Sequence, residues 1–587
     1  MVLLNFFLFI AYCRLLALVD AAVSSVAPPG SLPSGSAPSE SQPSGSAPSG
    51  SPSSGSAPSA SSSNSPTLTA SYVINGSNVI NSSSTTIKET SVNKSVILVT
   101  NRGSLTISNF TIVKLSGDTT SADDSSFYGL NSGVVASNGG KINISNSVIQ
   151  TSSEGSNAIV STGSQSIVYI DNIIINTTKD VSRGLHGTLT GTIIADKVKI
   201  TTTGAHCAAL ASDRGGATLL ITRATINTSG SGSPGIYSTG NITASNIQSV
   251  ASGSEGAVIE GRNNITLTDS TITGSVRCGV FLYQSYSGDA ETGTAEFTMT
   301  RGSITALAGP LFFTTNTASQ IQLSAVELIG STSRILLSAG ADQWGTTGSN
   351  GGQVQFKVTN QTLVGDVICD SISTIEITLE TKSSFTGAIN SNNTAKSISL
   401  TLDASSTWNV TGTSYLTTIT NADTTLINID DNGNIVYYLS TVSGNTYLNG
   451  KTYSLKNGGK LIPYGNDNNI VVTTTTVGNS AASTVSGYTG KLRYWLWWCL
   501  KQITNDGPKP ISYLSRRLKP AEKRYSTTEK ECLAMVRCIK EFRPYLLGPE
   551  FTVETDHCPL CNFHRKSSKN GQIDRWSIGL GEYDIGK

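Results

Sequence analysis

The chain has 587 residues, of which 13 % are charged, and its formal net charge is +1. This length exceeds that of one ordinary globular core, so more than one domain is expected. The balanced charge gives no general attraction to nucleic acid or to an anionic surface, which excludes a broadly basic binding protein.

Residues 1–22 are strongly apolar and predict a signal peptide. Small residues follow, including Ala21 and Ala22, as a signal-peptidase site requires. Arg14 interrupts the apolar run and no basic segment precedes it, so a short membrane anchor is the alternative. Such an anchor would contain fewer than about 20 uninterrupted apolar residues and would span a bilayer poorly. We therefore expect a secreted or cell-surface protein with no transmembrane span beyond the signal.

Residues 23–66 repeat Pro, Ser, Gly and Ala, as in Pro33–Pro38 and Pro43–Pro48. This composition cannot build an apolar core and predicts a disordered, hydrated stalk. Its hydroxyl groups would suit O-glycosylation in a secreted protein.

Residues 67–488 are built from short repeats in which apolar residues alternate with small polar ones. The unit occurs at Gly103–Ile112, Gly140–Ile149 and Asn264–Ile272. Alternation with a period of two is typical of a half-buried strand. An Asn or Asp then interrupts each run, at Asn109, Asn146 and Asp269, before a second short strand. Repeats of roughly 20–30 residues made of strands and turns predict a right-handed parallel β-solenoid.

Two other interpretations of this tract are weaker. Disorder would fit its Ser and Thr content, but Ile, Val and Leu recur too regularly. An immunoglobulin-type sandwich would need a Cys…Trp…Cys pattern, which the tract lacks. Its cysteines, Cys207, Cys278 and Cys369, are too few for a disulfide framework and are expected to be small buried residues, although one bridge stays possible.

The tract also contains twelve sequons for N-glycosylation, which a composition rich in Asn, Ser and Thr partly produces by chance. They are Asn75, Asn81, Asn93, Asn109, Asn143, Asn176, Asn227, Asn241, Asn264, Asn360, Asn392 and Asn409. They agree with a secreted glycoprotein.

Two groups of charged residues are candidates for the catalytic site of a carbohydrate-active β-helix. They are Glu255, Glu260, Arg262 and Asp269, and Asp289, Glu291, Glu296 and Arg301. Neither group shows a carboxylate pair at a catalytic spacing, so solvated turn charges are the favoured interpretation. The aromatic stretches 279–290, 309–316 and 344–352 resemble secreted, adhesin-like β-helix proteins of microbes. Their Tyr and Trp side chains would either stack on sugars or cap the stack of coils.

The composition changes near residue 490, where Trp495, Trp497 and Trp498 occur together. Helical spacing of apolar residues predicts an amphipathic helix from Thr527 to Phe542, followed by a strand at Phe551–Thr555. The motifs Pro510–Leu518, Ala521–Ala534, Phe542–Leu546, Phe551–His557, Asp574–Trp576 and Glu582–Asp584 occur here in order. In these motifs residues 489–587 resemble the RNase H-like domain of gypsy-type retrotransposon reverse transcriptases, in truncated form.

The resemblance implies a small α/β domain that cleaves the RNA strand of an RNA–DNA hybrid with two divalent cations, usually Mg²⁺. It assigns Glu531 on the helix and Asp556 after the strand as metal-binding, catalytic carboxylates. The family's first Asp is absent from Tyr488–Arg493, and a later Asp would lie beyond Lys587. With two expected ligands missing, we predict little or no nuclease activity. The Cys and His residues of His557–His564 are too crowded for a zinc site.

The sequence therefore predicts a chimera: a secreted or surface, adhesin-like β-solenoid without cofactors, which carries an inactive RNase H-like fragment. Its partner would be an unidentified surface, glycan or protein ligand. The first alternative is a retroelement-derived RNA–DNA hybrid ribonuclease or a component of an RNA-directed DNA polymerase. The second is a carbohydrate-binding or carbohydrate-active β-helix.

Overall fold

The computed structural model describes residues 65–81, 84–465, 483–488, 495–504, 507–517 and 551–554, and helical positions 533, 536, 537, 539 and 540. The chain divides into two compact units, Met1–Asn466 and Asp467–Lys587. The predicted signal peptide and nearly all of the predicted stalk lie outside the described residues.

The first unit is a parallel β-solenoid of about 16 turns, so the predicted fold is confirmed. Its larger sheet, the long-strand sheet, pairs each strand with a strand about 25 residues further along the chain. Its strands are Asn78–Asn81, Thr85–Glu89, Ser104–Ser108, Phe110–Lys114, Lys141–Thr151, Ile167–Thr177, Thr192–Thr202, Thr218–Thr228, Asn241–Ser245, Gln248–Ala251, Asn264–Gly274, Thr294–Ala306, Ala318–Ile329, Gln353–Thr359, Thr374–Glu380, Ser397–Leu402 and Thr418–Asn421.

Stacking of like residues forms the solenoid core. Ile142, Val168, Ile193 and Leu219 occupy one register position on four successive coils, and all four are fully buried. The ladder continues through Ile242 and later coils. Because each coil buries its apolar side chains against those of its neighbours, the alternation in the sequence becomes a continuous core.

The interruptions in the repeats are corners with left-handed backbone. Asn109, Asn146 and Asp269 have φ angles of 63°, 46° and 50°. Asn and Asp tolerate this conformation better than other residues with a side chain, which explains their place in the repeat. The side-chain amide of Asn172 also donates to that of Asn146 at 2.7 Å, which ties successive corners together.

The second sheet, the short-strand sheet, has twelve parallel strands along the opposite wall of the coils. They are Thr69–Asn75, Lys94–Thr100, Val134–Ser137, Ile159–Thr162, Leu185–Thr188, Leu210–Asp213, Ile236–Ser238, Ala257–Glu260, Val280–Tyr283, Phe312–Thr315, Ile335–Ala339 and Asp366–Cys369. Ile159, Leu185 and Leu210 stack inward.

Two smaller sheets complete the last coils. One contains Thr362–Val364, Ser384–Gly387, Thr407–Val410 and Ile429–Asp430, and the other contains Ser414–Leu416, Ile435–Leu439, Tyr453–Ser454 and Lys460–Tyr464. The described part of the unit also has an α-helix, Ala122–Tyr128, and a 3₁₀ helix, Ser443–Leu448. Ser121 caps the α-helix by accepting a hydrogen bond from the backbone N–H of Asp124.

The cysteines of the solenoid are buried and free, as the sequence favoured. Burial raises the pKa of Cys207 to about 11 and that of Cys369 to about 12. Among the described residues, no helix is long and apolar enough to cross a membrane.

The second unit contains a four-stranded sheet. Strands Ser483–Tyr488, Trp495–Thr504 and Gly507–Arg517 form an antiparallel meander, and Phe551–Glu554 pairs parallel to the first of them. Ser483–Tyr488, which the sequence analysis assigned to the solenoid segment, thus belongs to this sheet. Helical positions 536 and 539 are buried and 537 and 540 are exposed, as an amphipathic helix requires.

Candidate ligand-binding cleft

The outer face of the short-strand sheet carries a row of stacked side chains. Alternate residues of each strand point away from the core. His186, Ala211, Tyr237, Val258 and Phe281 stack in register along this outer face. A single side-chain position on successive coils therefore builds a continuous surface.

The last residues of the same strands form a parallel row. Asp213 ends one strand, and Glu260 and Tyr283 end two later strands that pair with each other. One strand lies between those of Asp213 and Glu260. Since neighbouring strands are about 4.8 Å apart, these two carboxylate-bearing strands are separated by roughly 10 Å.

Irregular segments turn this face into a cleft of about 570 Å³. The helix Ala122–Tyr128 contributes Asp123 and Phe127, and the segments after Tyr283 and Ala339 contribute further lining residues. The lining residues are Asp123, Ser126, Phe127, Arg183, His206, Ala208, Asp213, Gly232, Pro234, Tyr237, Ser254, Glu255, Val258, Glu260, Arg277, Phe281, Tyr283, Ser285, Ser287, Asp289, Gln343 and Trp344.

Hydroxyl groups hold the Glu260 carboxylate, which is 2 % exposed. One oxygen accepts from the hydroxyls of Tyr237 at 2.5 Å and Tyr283 at 2.9 Å. The other accepts from Ser285, and from Ser287 at 3.3 Å. Burial, and then the nearby Glu260, raise the pKa of Tyr283 well above its usual range, so its hydroxyl stays a donor. These four donors fix the carboxylate at the wall of the cleft.

Asp213 and Asp289 are bound by arginines. Asp213 accepts from the guanidinium of Arg183 at 3.2 Å. Burial raises the pKa of Asp213 to about 6, although the Arg183 charge opposes this rise. Asp289 accepts two hydrogen bonds from Arg214, at 2.7 and 3.1 Å. Arg214 also lies over the ring of Phe127, with 3.6 Å between its central carbon and the ring centroid, which links the helix to the cleft.

Aromatic side chains lie beside these charged groups. The Tyr283 ring stacks on Phe281 with 4.7 Å between centroids, and Trp344 lies 5.3 Å from Tyr283. The hydroxyl of Tyr286 donates to the carbonyl of Gly345, which joins the two irregular segments. The indole N–H of Trp344 is buried without a hydrogen-bond partner among the described residues. The cleft thus presents ring faces beside hydrogen-bonding groups.

The structure separates the charged residues that the sequence grouped together. Glu255, Glu260 and Asp289 line the cleft. The other residues of the two groups do not line it: Arg262 pairs with Glu291, Asp269 pairs with Arg301, and Glu296 lies on a long strand.

The interpretation of Glu260 as a solvated turn charge is wrong, because the side chain is buried under hydroxyl groups. Asp213, Tyr237 and Arg183 were not singled out in the sequence. For Tyr237 the sequence offers one weak signal of this kind: it lies in a short strand that follows Gly235. Of the aromatic residues in the stretches 279–290, 309–316 and 344–352, Phe281, Tyr283 and Trp344 line the cleft, whereas Phe312 is buried in the core.

None of the twelve sequon asparagines is buried. Six lie in strands of the long-strand sheet, namely Asn81, Asn143, Asn176, Asn227, Asn241 and Asn264. None of the twelve lines the cleft.

In the second unit, Glu531 and Asp556 lie outside the described residues. The described strand Ser483–Tyr488 pairs in parallel with Phe551–Glu554, just before Asp556, and contains no Asp or Glu. Within the described part of the chain, no three His, Cys, Asp or Glu residues are grouped so as to hold a metal ion.

Comparison with known proteins places one segment in a known class of domain. Residues 489–583 match the family model of the RNase H-like domain found in reverse transcriptase. This match confirms the resemblance and the class of the second unit.

The similar proteins include two Drosophila melanogaster retrovirus-related Pol polyproteins. That of transposon 297 is 40 % identical over 86 residues, or 15 % of this chain and 8 % of the relative. That of transposon 412 is 38 % identical over 86 residues, or 15 % and 7 %. The enzymatic polyprotein of carnation etched ring virus is 36 % identical over 90 residues, or 15 % and 14 %. The chain thus spans a small fraction of the length of these proteins.

Proposed function

We propose that this protein is a secreted or surface-exposed, adhesin-like solenoid that binds a glycan in the cleft. The observation that carries the proposal is the cleft itself, in which aromatic faces lie beside fixed carboxylate, guanidinium and hydroxyl groups. A sugar ring has an apolar face of C–H groups and a rim of hydroxyls, so it needs both kinds of contact.

The geometry of the cleft supports a glycan ligand. Its volume of about 570 Å³ is in the range of small-ligand sites. Tyr283 and Trp344 supply faces on which a ring would stack, and the half-buried carboxylate of Glu255 would accept from sugar hydroxyls. The predicted glycosylation sites lie outside the cleft, so attached glycans would leave it open.

A glycan array tests this function. The full chain should retain at least one class of oligosaccharide on the array. Retention should be the same with and without a chelator, because the proposed binding needs no metal ion. Trp344→Ala should weaken that retention about tenfold, which corresponds to about 1.4 kcal/mol. Tyr169→Ala is the matched control, since Tyr169 is 41 % exposed on the long-strand sheet and lies outside this cleft. Absence of retention by any glycan, or equal effects of the two substitutions, would refute the proposal.

For the second unit we propose an RNase H-like domain without nuclease activity. Domains of this class generally use Mg²⁺, and Glu531 and Asp556 are the residues that would hold it. The strand Ser483–Tyr488, next to the strand that leads into Asp556, supplies no carboxylate. Without a carboxylate on this strand, the residues present cannot position two hydrated cations, so the donor set does not fit the group.

The similarity to Pol polyproteins favours the opposite candidate, an RNA–DNA hybrid ribonuclease. Incubation of the full chain with a labelled RNA–DNA hybrid and Mg²⁺ distinguishes an inactive domain from a ribonuclease. We expect no cleavage above the level of Glu531→Ala. Metal-dependent cleavage that this substitution abolishes would establish the ribonuclease.

A further inference from the structure

The arginines around the cleft are already paired with carboxylates. Arg183 binds Asp213, Arg214 binds Asp289, and Arg277 binds Asp342. Arg277 also lies over the Phe281 ring, with 4.2 Å between its central carbon and the centroid. These side chains neutralise one another and leave no arginine of the three for a ligand carboxylate or phosphate.

Two carboxylates of the cleft have no such cation. Glu260 accepts from four hydroxyl groups, and Glu255 accepts from the hydroxyl of Ser254 at 2.6 Å. Among the described residues, neither carboxylate forms an ion pair. Asp123, exposed on the helix at the rim, adds a third acidic side chain without an ion pair in the same part of the structure. The cleft therefore keeps an excess of negative charge after its internal pairs are counted.

The aromatic wall, like this excess of negative charge, favours a positively charged ligand. The faces of Tyr283 and Trp344 carry the negative part of the ring quadrupole and attract a cation within about 6 Å. The unpartnered indole N–H of Trp344 is a donor that a sugar hydroxyl would satisfy. A buried polar group without a partner is unfavourable, so this atom also points to a ligand with hydroxyl groups.

We propose that the cleft selects glycans that carry a protonated amino group, that is, hexosamines that are not N-acetylated. The ammonium group would pair with Glu255, which is only half-buried whereas Glu260 is 2 % exposed, while the ring stacks on the aromatic wall. This inference rests on the proposed glycan-binding function and specifies its ligand class.

Three tetrasaccharides with the same β-1,4 linkage isolate the contribution of the amino-group charge to binding. At position 2 they carry an amine in glucosamine, an acetamide in N-acetylglucosamine and a hydroxyl in glucose. Titration calorimetry of the full chain at pH 6 should give an affinity for the glucosamine oligomer about tenfold above that for the glucose oligomer. Glu255→Gln should remove most of this preference, so that the affinities for the glucosamine and glucose oligomers become nearly equal.

Glu327→Gln is the matched control, since it removes one exposed carboxylate from the long-strand sheet. An equal loss of preference in both variants would mean diffuse attraction and would overturn the inference. Equal affinities for all three oligomers would also overturn it and would leave the glycan-binding function intact. If neither these oligomers nor any glycan on the array binds, the proposed function itself fails.

Discussion

The four hydroxyl donors on Glu260 give a quantitative prediction about the cleft. Tyr237→Phe deletes one donor from a carboxylate that is 2 % exposed and keeps the ring. A hydrogen bond to a charged group contributes about 1.5–3 kcal/mol, so the free energy of unfolding should fall by about 2 kcal/mol. Burial raises the pKa of Tyr237 well above its usual value, so the wild-type hydroxyl stays protonated throughout the neutral range.

A double-mutant cycle separates this bond from other effects of the substitution. In a Glu260→Gln background the acceptor is neutral, and the same deletion should cost only about 1 kcal/mol. The coupling energy is then about 1 kcal/mol. Urea unfolding of the full chain, followed by circular dichroism of the β-structure, measures all four variants. Equal costs of Tyr237→Phe in the two backgrounds would show that the hydroxyl does not act through the carboxylate, and would refute the reasoning.

Three further predictions concern the solenoid. Gly230→Ala should abolish folding of the central coils or destabilise them by about 3 kcal/mol or more, because the added Cβ would lie 1.7 Å from a backbone oxygen of the preceding coil. The control Gly412→Ala should be tolerated, since its Cβ would make only an ordinary contact at 3.5 Å. The free cysteines of the solenoid should resist iodoacetamide until the chain is denatured, as peptide mass mapping would show, and alkylation in the native state would contradict their burial. Burial, reinforced by a nearby arginine, lowers the pKa of His186 to about 3, so His186 destabilises the folded state progressively as pH falls below about 6.5. The raised pKa of Asp213 has the opposite effect and stabilises the folded state as pH falls from about 6 to 4. As pH falls from 6 to 4, the free energy of unfolding from urea titrations should therefore rise relative to wild type for His186→Asn and fall relative to wild type for Asp213→Asn. If these two differences from wild type changed with pH in the same direction, the assignment would be contradicted.

The architecture of the first unit follows from its sequence because a solenoid is a local structure. Each coil requires inward apolar residues at a period of two and a corner residue that tolerates positive φ. Both requirements are visible within one repeat, as at Asn146 and its flanking Ile144 and Ile149. The handedness of the coils stays a prediction.

The cleft was less predictable because it depends on alignment between coils. Asp213 and Glu260 share a face only because the intervening coils place their strands in one register, and that register is not visible in any single repeat. Tyr286 and Gly345 meet although they are far apart in sequence, since the irregular segments that carry them fold over the same wall. Burial of Glu260 follows from these segments, which explains why a charge predicted to face solvent lies under hydroxyl groups.

The two units impose incompatible requirements on one chain. The proposed glycan-binding function of the solenoid would be exercised outside the cell, whereas an RNA–DNA hybrid forms inside it. The family match begins at residue 489, close to the change in composition near residue 490 and after the division between the compact units. We therefore infer that a solenoid gene has been joined to a retroelement fragment. Long-read sequencing of the transcript across the codons for residues 486–501 tests this inference. A continuous, abundant message would show that the fusion is expressed, whereas transcripts that end or splice away before residue 489 would leave a solenoid alone and remove the nuclease hypothesis.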